Sequence, residues 1–367
     1  MITKNELQFW VGFNIIPGIG RVKFSQIETF FGNLENAWKA GAGLLKKAGL
    51  DTNSIQSIEN WRPQIDLPLE MEKLEKNAVR ALTYHDELFP ARLKEIFDFP
   101  PLIYIKGEIL PQDELCLAVV GTRKATIYGR QVTEELVEDL VRNKITIISG
   151  LARGIDTVAH RRALECGGRT IAVLASGLDS IYPPENARLA ARMIENGALI
   201  SEYAIGVKPR PDNFPRRNRI MSGLSLGVLV IEADESSGAI ITARMAAEQN
   251  REVMAVPGSI LNPMSRGTNA LIQEGAKLVR NCDDILAELN LSGQPQQLTM
   301  PEASALSEFE SLLLKQLGTE PTHIDEVCRT SGLKIAEVSS NLVMMELKGL
   351  VKQVSAMNYV LTRQTRQ

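Results

Sequence analysis

From about residue 80, the sequence alternates short, continuously apolar runs with amphipathic stretches. Six apolar runs predict β-strands, at Leu115–Val120, Ile145–Ile148, Thr170–Ala175, Ala198–Ser201, Gly227–Ile231 and Glu252–Val256. The stretches between them carry apolar residues at helical spacing, for example Ile155, Ala159 and Ala163. Strands without a polar face that alternate with helices predict a parallel, doubly wound α/β sheet of the Rossmann-like kind. Ligands of such sheets bind beyond the carboxyl ends of the strands.

The residues before the sheet region predict a separate helical domain. Within "NIIPGIGRVKFSQIETF", Pro17-Gly18-Ile19-Gly20 stands between two helical stretches. One interpretation is a helix-hairpin-helix that grips DNA phosphates through backbone amides, and the other is a tight turn in a small helical domain. The expected organisation is a helical domain over 1–66, a Rossmann-like domain over 67–289, a linker over 290–304 and a winged-helix-like domain over 305–367.

The carboxyl-terminal prediction depends on a change in composition. Residues 290–304 are rich in Gln, Ser and Pro, which is typical of a linker. Three short helical patterns and a hairpin follow, and together they indicate a winged helix. Its candidate recognition helix carries Glu337 and Glu346 but no arginine. Reading of DNA bases normally needs basic side chains there, so a protein-binding or packing role is the expectation.

Composition limits where the protein works. The chain has 367 residues and a net charge of −3, so attraction to a polyanion requires a local basic patch. No apolar run reaches the ~18 residues that span a bilayer, and the first residues lack the pattern of a signal peptide. The four cysteines are far apart, which fits reduced thiols and no zinc site. A cytoplasmic protein without a metal or a membrane anchor is expected.

Glycine and arginine follow the first two predicted parallel strands. Gly121-Thr122-Arg123 follows one strand, and Gly150 and Gly154 bracket Arg153 after the next. Glycine lets a backbone approach a ligand closely, and a helix N-terminus offers free amides to an anion. Two such turns side by side predict an anion-binding groove, the alternative being plain strand-to-helix turns. Neither turn matches a dinucleotide or ATP motif, so no cofactor is expected.

Acidic and histidine side chains near these strand ends have structural explanations. Asp156 is expected to complement a helix dipole, and His160 to be a local structural partner. Glu232, Asp234 and Glu235 could act as acids or bases. However, Ser236 or Ser237 stands ahead of a helix, so capping explains this polar cluster well. No combination of nucleophile, base and metal ligands is present, so no catalytic residue is assigned.

The segment "GVKPRPDNFPRRNR" between the fourth and fifth predicted strands is strongly basic. Its prolines predict an extended, stiff conformation, and only Asp212 opposes its cations. An extended basic segment that contains Phe214 suits a single nucleic-acid strand, because cations follow the phosphates and the ring stacks on bases. At least one arginine of "RRNR" is expected to form a structural ion pair. The cations are Lys208, Arg210, Arg216, Arg217 and Arg219.

Together these motifs resemble the DNA-processing protein A family (DprA, also called Smf). The matching stretches cover about residues 80–280 and include "VVGTRKATIYG", "ISGLARGIDTVAHRRAL" and "SEYAIGVKPRPDNFPRRNRIMSGLS". The resemblance implies a homodimeric, non-catalytic protein that binds single-stranded DNA on an extended Rossmann-like domain. It also implies protection of incoming DNA during natural transformation and help in loading RecA recombinase, with no cofactor.

The resemblance also implies which residues contact DNA. These are Gly121, Arg123, Lys208, Phe214, Arg217, Asn218 and Arg219. The two turns and the basic segment add Thr122, Gly150, Arg153, Gly154 and Arg210. Ser180 stands where some relatives carry a lysine.

Two alternatives remain open. Related Rossmann-like enzymes hydrolyse nucleoside monophosphates, but they use a Pro-Gly-Gly-x-Gly-Thr loop that this sequence lacks. The other alternative is a structural adaptor whose basic segment mediates only self-association and does not bind DNA.

Overall fold

The computed structural model describes residues 3–291, 308–318, 320–348, 350–355 and 357–361. The chain divides into two compact units, residues 1–294 and 295–367. Beyond residue 291, the predicted linker lies outside the described residues. None of the helices in the described ranges is long and apolar enough to cross a membrane.

One sheet of nine strands organises the described part of the first unit. Its order is β1-β2-β6-β5-β4-β3-β7-β8-β9. The seven strands from β6 to β9 in that order are parallel, whereas β1 and β2 are antiparallel to their neighbours. The predicted α/β class and all six predicted strands, here β3 to β8, are confirmed. The strands are β1 (Arg80–Thr83), β2 (Leu102–Gly107), β3 (Cys116–Val120), β4 (Thr146–Ser149), β5 (Thr170–Val173), β6 (Gly197–Ser201), β7 (Gly227–Val230), β8 (Glu252–Ala255) and β9 (Lys277–Leu278).

Six helices precede the sheet. Several of them begin at a residue whose side chain caps the helix. Asn33 and Asp51, for example, each accept a hydrogen bond from the backbone amide three residues later in the sequence. Their aromatic core is centred on Trp10 and Phe24, whose ring centroids are 5.2 Å apart. The helices are α1 (Lys4–Ile15), α2 (Arg21–Phe31), α3 (Leu34–Lys39), α4 (Ala42–Lys47), α5 (Thr52–Trp61) and α6 (Leu67–Lys76).

This helical region packs directly on the sheet. Leu102 and Tyr104 of β2 belong to the same apolar core as the helices, and the Tyr104 hydroxyl donates to Asn14 Oδ1 at 3.0 Å. The predicted boundary between residues 66 and 67 stays a prediction, because the first compact unit contains both regions. The turn between α1 and α2 has the predicted helix–turn–helix arrangement, with Gly18 at a φ of +84°. Its contact with DNA stays a prediction.

Seven further helices cover the two faces of the sheet. Along β3, Leu117 and Val119 pack with α7 and α8, while Ala118 and Val120 face the opposite core that contains α10 and α11. This alternation follows from the two-residue period of a strand. The helices are α7 (Ile127–Arg142), α8 (Ile155–Glu165), α9 (Ala187–Glu195), α10 (Asn213–Leu224), α11 (Gly238–Glu248), α12 (Arg266–Gln273) and α13 (Cys282–Glu288).

The second unit has the predicted helices and hairpin. Leu313, Val327 and Leu342 of its three helices share one apolar core. A small antiparallel sheet in the order β10-β12-β11 completes it. The elements are α14 (Glu308–Leu314), β10 (Thr322–His323), α15 (Ile324–Ser331), α16 (Ile335–Leu347), β11 (Val351–Ser355) and β12 (Asn358–Leu361).

Candidate nucleic-acid interface

The two glycine–arginine turns are neighbours at the carboxyl edge of the sheet, because β3 and β4 are paired in parallel. Gly154 has a φ of +78°, and a Cβ atom there would lie 2.2 Å from the Thr122 carbonyl oxygen. The Ile155 amide donates to the same oxygen at 3.2 Å. Gly121 packs equally closely, since a Cβ there would lie 2.6 Å from Ile155 Cγ1. Glycine therefore allows the two turns to form one continuous surface, in which Thr122 is buried.

Buried carboxylates accept hydrogen bonds from several backbone amides of these turns. Asp156 Oδ2 accepts hydrogen bonds from the amides of Gly150, at 3.0 Å, and Ala152, at 3.3 Å. Glu232 accepts from the Thr126 amide at 3.0 Å and from the Thr126 hydroxyl at 2.6 Å. The prediction that such amides are free for an anion is therefore wrong for these groups. These three amides are therefore not available to a phosphate at this edge.

Arg217 is a buried structural residue at the centre of the strand ends. Only 4% of it is exposed, and its Nη1 donates to the carbonyl oxygens of Gly150, at 2.7 Å, and Val173. A Cβ atom on Gly150 would lie 2.3 Å from that Nη1, so any larger residue there would displace the guanidinium. Burial lowers the pKa of Arg217 to about 10, against the favourable charge of Asp156. The side chain thus stays cationic at neutral pH and links the ends of β4 and β5.

Residues 213–219 are helical, so the extended conformation predicted for them is wrong. They form the first turns of α10, whose buried side chains include Ile220, Met221 and Leu224. Arg217 precedes the first two by three and four residues and therefore falls on the same buried face. Arg216 falls outside that face and is exposed. The segment 207–212 before the helix has no regular helix or strand, and Lys208 and Arg210 are exposed on it.

The last two residues of the basic motif also bond internally. Asn218 is buried, accepts from Arg217 Nε at 3.2 Å and donates to the Gly238 carbonyl at 3.4 Å. Arg219 forms ion pairs with Glu202 and, at 3.2 Å, with Asp98. The predicted structural ion pair of "RRNR" is therefore confirmed at Arg219. Among the predicted contacts, Arg217, Asn218 and Arg219 are placed where they hold α10 in position.

A shallow depression remains open at this edge. Arg123 is exposed, and its Cζ lies 5.6 Å from the centroid of the half-buried Phe214 ring. The Tyr182 ring contacts Phe214 edge to face, with centroids 5.7 Å apart, and is 40% exposed. Gly150, Ala152, Arg153 and Pro183 complete the lining. The depression therefore combines guanidinium groups with the faces of two aromatic rings.

Arg216 is one of the cations of the basic segment but is absent from the predicted DNA contacts, and Tyr182 is absent from them as well. Arg217 is buried and Arg216 is exposed because only Arg217 has the helical spacing that places it on the face of Ile220 and Met221. This spacing has a meaning only if the segment is a helix. No local sequence pattern marks Tyr182, because its ring contacts Phe214, which is more than thirty positions away in the sequence.

The structural expectations for the nearby polar residues are confirmed. His160 is buried and its Nδ1 lies 2.7 Å from Thr170 Oγ1. Ser237 caps α11, since its hydroxyl accepts from the Ala239 amide at 3.3 Å. Neither is placed to act on a ligand in the depression.

Comparisons with known proteins match nearly the whole chain. Residues 80–290 match the family of DNA recombination-mediator protein A, and residues 296–357 match the DprA winged helix domain. Protein Smf of Escherichia coli is 40% identical over 321 residues, which covers 85% of each chain. DNA processing protein DprA of Streptococcus pneumoniae is 46% identical over 203 residues, or 55% of this chain and 72% of that protein.

Two solved structures share the fold. The X-ray structure of DNA processing protein A from Streptococcus pneumoniae has a TM-score of 0.66 and 36% identity, and the match covers 77% of this chain and 97% of that one. A structure concerned with the single-stranded DNA binding mode of DNA processing protein A from Helicobacter pylori has a TM-score of 0.52 and 31% identity, covering 58% and 95%. With a family match over more than half its length and a winged helix domain of the same family after it, this chain belongs to the DprA/Smf family of DNA recombination-mediator proteins.

Proposed function

We propose that this protein binds single-stranded DNA at the depression between Arg123 and Phe214. One observation carries the proposal, namely an exposed guanidinium lying beside an aromatic ring at the carboxyl edge of a parallel sheet. Lys208 and Arg210 are exposed on the segment before α10, the helix that carries Phe214. Arg216 is exposed in the first turns of that helix. The described single-strand binding of the Helicobacter pylori relative supports the same assignment.

The chemistry suits an unpaired strand. Exposed cations neutralise successive phosphates, and an aromatic face that stacks on a base contributes about 1–3 kcal/mol. Bases in a duplex do not present their faces, so Phe214 favours single strands. In this proposal Arg123, Arg153, Lys208, Arg210, Arg216 and Phe214 contact DNA. Gly121, Thr122, Gly150, Gly154, Arg217, Asn218 and Arg219 shape the surface that presents them.

We further propose a non-catalytic role in recombination. Membership of a recombination-mediator family supports protection of incoming DNA during natural transformation and help in loading RecA recombinase on it, by a protein that acts as a homodimer. The buried carboxylates favour this role over nucleotide hydrolysis. Asp156 and Glu232 accept hydrogen bonds from backbone amides of the two turns, where a mononucleotide phosphate would otherwise bind.

The proposal is tested by fluorescence anisotropy with labelled single-stranded and duplex oligonucleotides of equal length, at several salt concentrations. Tighter binding of the single strand at every salt concentration is expected. Equal affinity for the two forms would contradict the stacking mechanism, and no binding to either would favour the structural adaptor. Release of ribose phosphate from nucleoside monophosphates would favour the enzyme.

A further inference from the structure

An ion pair stands at the rim of the depression. Arg153 Nε lies 2.5 Å from Glu185 Oε1, and the two side chains are 56% and 51% exposed. Arg153 lines the depression together with Arg123 and Phe214. Glu185 belongs to a short 3-10 turn, Pro184–Asn186, which directly follows Tyr182 and Pro183. A carboxylate is thus held against one of the cations that face the proposed DNA.

The fold anchors this carboxylate beside the arginine. The next residue, Asn186, is buried, and its Nδ2 donates to the carbonyl oxygen of Leu151 and to Thr157 Oγ1, each at 2.8 Å. Leu151 lies in the same turn as Arg153, and Thr157 lies in α8 just beyond it. The backbone at Glu185 is therefore tied to the loop that carries its partner, so the pair is more than an accidental meeting of two flexible surface side chains.

We propose that Glu185 is an internal competitor for a DNA phosphate, holding Arg153 in the free protein and giving way to a phosphate of the bound single strand. This inference rests on the proposed function. The exchange is feasible because an exposed ion pair is weak and readily replaced. Arg123 differs, since its neighbour in the depression is the uncharged Phe214 ring.

A polyanion and a small anion differ in how much they gain when they displace Glu185. An isolated phosphate that takes Arg153 must displace Glu185 and gains a single contact in return. A DNA strand displaces the same carboxylate while its other phosphates meet Arg123 and the cations of the 207–219 segment. The cost of displacing Glu185 is the same for both ligands. It therefore offsets a larger fraction of the binding free energy of a mononucleotide or inorganic phosphate than of a strand.

The test uses the full-length protein and a labelled single-stranded oligonucleotide at fixed salt. Glu185→Gln removes the competing charge and keeps the shape of the side chain. We expect this variant to bind the strand about two- to fivefold more tightly, because an exposed ion pair contributes little free energy. Arg153→Ala should bind less tightly, with a salt slope flatter by about 0.7. Glu195→Gln is the matched control, because Glu195 is exposed and ends α9 just before β6 begins, at the opposite edge of the sheet.

The double variant separates competition from a general charge effect. In the Arg153→Ala background, Glu185→Gln should no longer tighten binding, since the arginine that it frees is gone. The inference is overturned if Glu185→Gln binds no tighter than the wild type, if it gains as much without Arg153, or if Glu195→Gln gains as much. A wild-type protein that does not bind single strands would contradict the proposed function itself.

Discussion

The guanidinium carbon of Arg123 lies 5.6 Å from the centre of the Phe214 ring, although 91 positions of sequence separate the two residues. Arg123 follows β3, and Phe214 lies in the first turn of α10. A cation near an aromatic face is attracted to it by about 0.5–1 kcal/mol at an exposed site. The contact therefore helps to hold the guanidinium and the ring side by side. In the proposed function these are the phosphate-binding group and the base-stacking group.

Arg123→Ala should weaken single-strand binding without destabilising the fold. Arg123 is exposed, and surface substitutions usually change stability by no more than about 0.5 kcal/mol. Loss of one phosphate contact should flatten the salt slope by about 0.7. Anisotropy and a thermal melting curve measure the two effects, with the exposed Arg192 of α9 replaced by alanine as the control. Unchanged affinity in a normally folded variant would remove Arg123 from the interface.

Adjacent arginines should behave in opposite ways. Arg217→Ala removes a buried cation from the carbonyl oxygens of Gly150 and Val173 and from the charge of Asp156. We expect it to lower the free energy of unfolding by about 3 kcal/mol or more. Arg216→Ala, at the exposed neighbouring position, should leave stability nearly unchanged and weaken DNA binding. Urea unfolding of both variants measures the difference, and equal stabilities would contradict the assignment of Arg217 as a structural residue.

His160 should make stability depend on pH below neutrality. Burial, and then the charge of Arg217, lower its pKa from 6.5 to about 3. Between these values the unfolded chain binds a proton that the folded protein does not, so stability is complete above about pH 6.5 and falls as the pH falls towards 3. The loss should reach about 2 to 3 kcal/mol at pH 4.5. Thr170 Oγ1 donates its proton to the Ile147 carbonyl, so His160 Nδ1 is the donor to Thr170 Oγ1.

His160→Asn is the variant that checks this assignment, because its amide can still donate to Thr170. Urea unfolding of both proteins at pH 7 and pH 4.5 gives the comparison. The wild type should lose more stability than the variant over this interval. The same loss in both proteins would show that other groups cause the acid sensitivity.

The first compact unit should bind single strands by itself. A protein truncated after Glu288 keeps the sheet, both glycine–arginine turns and α10. It loses a domain whose candidate recognition helix, α16, carries no arginine or lysine. Circular dichroism should show a folded protein, and anisotropy should give an affinity close to that of the full chain. Loss of most affinity by the folded truncated protein would place the main DNA contact in the winged helix domain.

The parallel strands could be predicted from sequence because each is a continuous apolar run, and their ends located the two turns. The antiparallel strands β1 and β2 were not predicted. β1 has only four residues, two of them buried, and β2 is not followed by an amphipathic helix before β3 begins. The basic segment was misinterpreted because its prolines suggested an extended chain, whereas burial of Ile220 and Met221 stabilises a helix. Because this helix packs against the sheet, the Arg217 side chain is buried and the Arg216 side chain is exposed.

The free amides expected at the turns could not be judged from sequence for a related reason. Asp156 is six residues from Gly150 in the chain, and Glu232 is 106 residues from Thr126. Glu232 reaches its amide only when β3 and β7 are paired, and Asp156 only when the turn between β4 and α8 is folded. The sequence therefore predicted that the two turns lie together at one edge of the sheet, as they do. Which of their side chains are exposed and which are buried required the three-dimensional arrangement.

The central claim is that charge and stacking act together at one site, and a salt series with Phe214 variants tests it most directly. Affinity for a labelled single strand and its duplex is measured by anisotropy for the wild type, Phe214→Ala and Phe214→Leu. Leucine preserves apolar bulk but offers no aromatic face. Three to five phosphate contacts should give the wild type a slope of roughly −2 to −3.5 in a plot of log affinity against log salt.

Phe214→Ala and Phe214→Leu should both weaken single-strand binding, by up to about 1–3 kcal/mol, along lines parallel to that of the wild type, because stacking releases no counterions. The wild type should bind duplex more weakly than the single strand. Either substitution should change the affinity for duplex little. Equal binding of duplex and single strand, together with no effect of Phe214→Ala, would contradict the account.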